Sequence, residues 1–203
     1  PGAESNWHRP APPGCPLAGS MNRAIIRCLI ALAIGLSSTV LCSIRLTQRG
    51  QLAADFTFPW RAGQYLLAGK NPYQEIQPTG SYPFQTYFYY PLPAALAALP
   101  FTGLPAVSAG ALFFGASSAL LAYALTRNNF QRLPLFASAP YWVCLGVAQW
   151  PPLLIAAALL PGLEGLLACK PNLGAALFLY RPSWRALAGL ALTGSFSLLI
   201  LPS

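Results

Sequence analysis

Asp55 is one of only four acidic residues in a 203-residue chain that carries twelve Lys and Arg. It stands just past the first long apolar run and ahead of an aromatic and basic stretch. If that run spans a bilayer, the carboxylate lies near its lip, where a charge is costly to bury and useful for proton transfer. Glu75 is the reserve base. Arg61 and Lys70, on the same stretch, suit a phosphate at the membrane surface, and Lys170, embedded in an apolar run, must face a polar cavity or snorkel. Each residue also has a plainer reading. An Asp at a helix start caps the helix or pairs with an Arg, and Arg61 and Lys70 serve as interfacial anchors. Tyr87, Tyr89 and Tyr90 form part of an aromatic belt. Lys170 marks the end of a span, with Glu164 either as its partner or in a loop.

The elements that must position these groups follow from composition. With 8% charged residues, 55% hydrophobic ones, 17 glycines and 21 prolines, and a mean hydropathy of +0.50, the chain reads as an all-α polytopic membrane protein. The formal charge of +8 would suggest nucleic acid in a soluble domain. Here the basic residues are scattered between apolar runs, so lipid headgroups or phosphorylated lipid substrates fit better as partners, and nucleic acid is not expected. Cys15, Cys28, Cys42, Cys144 and Cys169 form no Cys-x-x-Cys pair, and His8 is the only histidine. No disulfide framework, metal or cofactor is therefore expected, and a Ser-His-Asp triad is excluded within this sequence.

Residues 1–20 are Pro/Gly-rich and aperiodic, which reads as a non-native or disordered leader. Met21 opens a basic-then-apolar run, the expected true start of a domain covering 21–203. The end at LLILPS, without a polar tail, reads as a truncation. Ala24–Ile44 is long enough to cross about 30 Å of hydrocarbon, and Arg23 and Arg27 favour a cytoplasmic N-terminus. A signal peptide is the alternative, although no small-residue cleavage site precedes Arg45. Arg45, Arg49 and Arg61, in the loop placed outside, weigh against this orientation. Between Arg45 and Tyr90, Thr57 as cap, Pro59 in the first turn and Gly69 with Pro72 as stop predict a helix over about Phe58–Ala68 lying on the membrane surface. Trp60, Gln64 and Leu67 share one of its faces. Apolar sequence resumes at Pro91–Leu104, Ala106–Leu125, Leu133–Tyr180 and Ala186–Leu201, giving six or seven spans. Trp150-Pro151-Pro152 and Pro161-Gly162 are turns or kinks.

Four segments in this order, DFTFPWRAGQYLLAGKNPY, YFYYPLPAALAALPFTGLP, GVAQW and LLACKPNLGAALFLYRPSWRAL, resemble glycosyltransferase family 87, integral-membrane enzymes of the GT-C superfamily that use polyprenyl-phosphate sugars. The resemblance runs from about Met21 to the end and corresponds to the N-terminal half of such a protein. It implies a GT-C-like transmembrane bundle in the cell membrane, multi-pass, with the active site facing outside. It further implies a polyprenyl-phosphate sugar donor, mannose by family habit, and a glycolipid or polysaccharide acceptor. Asp55 matches the family's catalytic base in the first extracytoplasmic loop. Gly69, Asn71, Pro72 and Tyr73 match its Gly-x-x-Pro-Tyr. Lys170-Pro171 matches a Lys-Pro in the later spans, and Gln149 a Gly-Gln-like position, although Gly146 lies three residues earlier. Tyr90-Pro91-Leu92 stands where the family has Tyr-Pro-Pro. Substrate binding then falls to Arg61, Lys70, Tyr73, Tyr90 and Lys170.

The chemistry of such a transfer needs a base for the acceptor hydroxyl and donors for the departing phosphate. With one essential carboxylate it proceeds by direct displacement and inversion. The rival expectation is a non-enzymatic polytopic protein, a transporter or assembly subunit. A carrier would place ionisable groups midway through repeated, interrupted spans, whereas this chain loads its polar residues into one loop and shows no internal repeat.

Overall fold

A computed structural model describes residues 16–48, 54–78 and 86–201, and among these the chain is all-helical. The first helix, α1 (Pro16–Gln48), is longer at both ends than the apolar run alone indicates. It takes in residues 16–20 of the expected leader. Residues 1–15 and Arg49 lie outside the described residues. The next long helix, α5 (Ala106–Leu125), runs antiparallel to α1. Arg27 meets Tyr123 at one end, and Gly35 and Thr39 meet Gly115 further along. Among the described residues, these two helices, over Met21–Gln48 and Ala106–Leu125, are long and apolar enough to cross a membrane.

Their contact is built from small residues, which let backbones approach closely. A Cβ on Gly115 would collide with the Thr39 hydroxyl and would come within 2.7 Å of Gly35 O. One buried polar knot spans the seam. Tyr141, from α6 (Ala139–Leu145), shares hydrogen bonds with Ser38 of α1 at 2.6 Å and Ser118 of α5 at 2.8 Å. Gly115→Ala is therefore expected to lower stability by about 1–3 kcal/mol through overpacking. Gly194→Ala, in a helix with nothing within 4 Å of the new methyl, should instead gain up to about 1 kcal/mol from helix propensity. Thermal melting of the two variants checks both signs.

The stretch after α1 enters α2 (Thr57–Leu67) through a 3-10 turn at Ala54–Phe56. This corrects the expectation that Thr57 caps the helix. The chain already turns helically one step earlier, so Thr57 is the first α-helical residue, and its buried hydroxyl has no partner among the described residues. The helix stops in a Schellman motif, with Lys70 N–H donating to Tyr65 O, Gly69 N–H to Leu66 O, and Gly69 at φ +70. A four-residue helix, α3 (Pro72–Glu75), follows, capped by Asn71. Trp60 Nε1 donates to Leu104 O at 3.2 Å and Gln64 Nε2 to Thr102 O at 2.9 Å. Leu67, expected on their face, is the last residue of the helix and is 69% exposed. Helix α2 thus packs onto α4 (Leu92–Ala98) and the turn that follows it.

The apolar stretch 133–180 is divided by its prolines into elements shorter than a bilayer. Trp150-Pro151-Pro152 begins α7 (Pro151–Leu159), Pro161-Gly162 forms the turn after it, with Gly162 at φ +93, and a 3-10 segment, Glu164–Cys169, leads to Lys170. Pro171 opens α8 (Pro171–Tyr180), and Ser183 caps α9 (Trp184–Ile200) through a hydrogen bond from Ala186 N. The chain from Trp150 to Lys170 is a hairpin of about 13 Å of α-helix and a 3-10 return. Both of its ends lie in the same place, beside Asp55.

Candidate functional site

Three separated segments converge on Asp55. The 3-10 turn supplies the acid, the junction between the 3-10 return and α8 supplies Lys170, and the turn between α6 and α7 supplies Gln149. Lys170 Nζ donates to Asp55 Oδ2 at 2.8 Å and to Gln149 Oε1 at 3.1 Å, bridging residues 115 and 21 positions apart. The two ionic side chains are 20% and 32% exposed, so solvent reaches one side of the pair. Lys170, flanked by apolar sequence, turns its ammonium to these polar partners. It occupies the break between two short helices, where its backbone is extended (φ −144, ψ 85). Glu164 is not its partner: that carboxylate turns back to accept from Gly162 N at 2.6 Å.

Gln149 is presented by an unusual backbone. Ala148, fully buried, has φ +47, a left-handed conformation that glycine adopts freely and alanine does not. The bond from Gln149 N to Cys144 O closes α6 in the same six-residue pattern that Gly69 gives α2.

Beneath the polar cluster lies an aromatic floor. Phe56, next to Asp55, stacks on Phe113 of α5 with centroids 4.1 Å apart, and Trp150 packs on Phe113 at 4.8 Å and on Tyr90 at 6.1 Å. Phe56, Phe113 and Trp150 are buried, and a low-dielectric floor strengthens the electrostatics above it. Tyr90 joins floor to acid. Its hydroxyl lies close enough to the Asp55 carboxylate to feel its charge, and Lys170 Nζ lies 5.6 Å from its ring centroid. Burial first, then the nearby Asp55 charge, push the phenol above its ordinary range, so Tyr90 stays protonated. The Trp150 indole lies close enough to lower that phenol slightly, yet its Nε1 completes no hydrogen bond of good geometry. It and the Thr57 hydroxyl are buried polar atoms left unmatched near the acid, a costly arrangement in a packed interior.

The other expected site residues are placed differently. Tyr73 donates to Tyr90 O at 3.1 Å and packs on Phe88 at 5.1 Å, so it props the strand of chain carrying Tyr90. Lys70 pairs with Glu75 at 3.3 Å across the Asn71-capped turn of α3, with Lys70 exposed and Glu75 partly so. Arg61 donates to Gln64 Oε1 at 2.8 Å and stacks 4.8 Å over Tyr65. Of the six expected site residues, the fold brings Asp55, Tyr90 and Lys170 together, with Tyr73 behind them. Gln149 completes the cluster and was legible only through GVAQW. Trp150, Phe56 and Phe113 carried no signal, because aromatic residues in an apolar chain do not stand out. No family model, curated protein or solved structure matches this chain.

Proposed function

We infer that the chain belongs to a GT-C-like membrane glycosyltransferase, multi-pass in the cell membrane. It moves a hexose, mannose first among candidates, from a polyprenyl-phosphate donor to a glycolipid or polysaccharide acceptor. The observation that carries this reading is the convergence of Asp55, Lys170, Gln149 and Tyr90 over an aromatic floor. Asp55 takes the acceptor hydroxyl's proton as that oxygen bonds to the anomeric carbon. The bond from that carbon to the phosphate oxygen breaks, and its electron pair leaves with the polyprenyl phosphate. Lys170 offers the adjacent positive charge that this phosphate needs. Gln149 and Tyr90 hold Lys170 and Asp55 in register. No second carboxylate stands beside Asp55 among the described residues, which favours a single displacement with inversion.

The distribution of charge supports an outward-facing site. Arg27 reaches Tyr123 O, Arg127 reaches Leu159 O and Arg181 reaches Ala158 O. These contacts gather the start of α1 and the ends of α5, α7 and α8, with Arg23 and Arg185 close by. At the opposite end Lys70 and Lys170 are each paired with an acid. Arg45 and Arg61 also lie toward that end, but the larger group, Arg23, Arg27, Arg127, Arg181 and Arg185, gathers at the other, and this excess marks the cytoplasmic side. In a cysteine-free variant, cysteine at Tyr87 should react with an impermeant maleimide in intact cells, and cysteine at Asn128 only after permeabilisation. The reverse pattern would overturn the orientation.

The activity itself is tested by supplying membranes containing the protein with labelled polyprenyl-phosphate mannose, glucose or arabinose. The expected result is label in a glycolipid or polysaccharide fraction, with the anomeric configuration inverted relative to the donor. No transfer from any of the three donors, in membranes shown to contain the folded protein, would overturn the reading.

A further inference from the structure

A cavity lies at the arginine-rich end, far from Asp55. It has a volume of about 440 Å³ and is lined by Arg23, Arg27, Thr126, Arg127, Asn128 and Asn129, with Phe130 at its edge. Three guanidinium groups and no carboxylate line it. The three acids among the described residues are engaged elsewhere: Asp55 with Lys170, Glu75 with Lys70 and Glu164 with Gly162 N. Nothing among the described residues therefore neutralises these arginines.

Two of them are held ready by the fold. Arg27 stacks 4.5 Å over the Tyr123 ring and donates to Tyr123 O at 3.5 Å, while its Nε is buried without a partner. Arg127 reaches Leu159 O at 3.5 Å, a long contact that leaves most of its five donors for other partners. Arg23 is exposed one helical turn before Arg27. Guanidinium forks of this kind match phosphate oxygens in pairs.

Depth in the bilayer selects the source of the phosphate. The cavity opens where α5 ends, and the twenty residues of α5 rise about 30 Å, the thickness of the hydrocarbon core. Its mouth then stands at headgroup level, beside the apolar face of α1, where Met21, Ile25, Ile26 and Leu29 are exposed. A lipid fits this arrangement, with its phosphate among the arginines and its acyl chains along α1.

We propose that this cavity is a binding site for the phosphate of an anionic phospholipid in the cytoplasmic leaflet. The proposal rests on the membrane part of the functional reading and is independent of glycosyl transfer.

The test is the thermal midpoint of the detergent-solubilised full chain, measured with added phosphatidylglycerol, phosphatidylcholine or inorganic phosphate. Phosphatidylglycerol at saturation is expected to raise the midpoint by about 5 °C, with no rise from the other two. Arg23→Gln/Arg127→Gln should lose the response. If that double variant fails to fold, Arg23→Gln alone, at an exposed position, should at least halve it. An equal response to phosphatidylcholine, or a full response in the variants, would overturn the site. An equal rise from inorganic phosphate would overturn the lipid as its ligand. A chain that stays soluble and folded without detergent would instead contradict the membrane reading on which the site rests.

Discussion

Asp55→Asn is expected to reduce sugar transfer by about a hundredfold to ten-thousandfold, the usual cost of losing a general base. The amide keeps the shape of the side chain and can still accept from Lys170 Nζ, now 2.8 Å from Oδ2, but it cannot take a proton from the acceptor. The fold should tolerate the change, because Phe56 and the floor below are untouched. Glu75→Gln provides the contrast. Glu75 pairs only with Lys70 on an exposed turn, so its loss should leave turnover near normal and shift stability by no more than about 0.5 kcal/mol. If Asp55 merely clamped Lys170, asparagine would serve nearly as well, and turnover in the two variants would be alike.

Lys170→Met should lower transfer by about a hundredfold to a thousandfold, the range seen when one preorganised donor to a developing anion is removed. It also leaves a partly buried carboxylate above an aromatic floor without its cation. Because the pair is 20% and 32% exposed, the stability cost should fall between surface and buried ion pairs, about 1–3 kcal/mol. Lys170→Arg separates the two effects. It restores charge and stability, yet its planar fork cannot occupy the point between Asp55 Oδ2 and Gln149 Oε1 that the ammonium fills. Transfer in the Arg variant should therefore recover less than stability does. Equal recovery of both would make Lys170 a structural clamp.

The legible part of this site was its charge. In a chain with 8% charged residues, Asp55 and Lys170 each stand out against apolar neighbours, because a charge that is expensive to place needs a reason. Their meeting across 115 positions was not legible, since it depends on the hairpin from Trp150 to Lys170 folding back to its own starting point. One near-neighbour pair was not legible either. Lys70 and Glu75 look like independent loop charges until the Asn71-capped turn of α3 brings them within 3.3 Å. Ala148 gives no sign of its left-handed backbone, because alanine, unlike glycine or asparagine, rarely adopts it. Thr57 was misread for a related reason: the 3-10 turn that starts the helix early has no sequence signature in Ala54, Asp55 and Phe56. At the level of fold, helical character and the two long apolar helices followed directly from composition and run length. The prolines that shorten the later elements were visible, but whether each one starts, ends or bends a helix depended on its neighbours in space.

The central claim is that Asp55 acts in the chemical step and not in holding the donor. Donor affinity and single-turnover rate, measured on the same preparations of the wild-type chain and Asp55→Asn with labelled polyprenyl-phosphate mannose, test it most directly. The expected result is a dissociation constant within about threefold of wild type and a single-turnover rate lower by a factor of a hundred or more. A rate that falls only as far as donor binding falls, or one that stays near wild type, would contradict it.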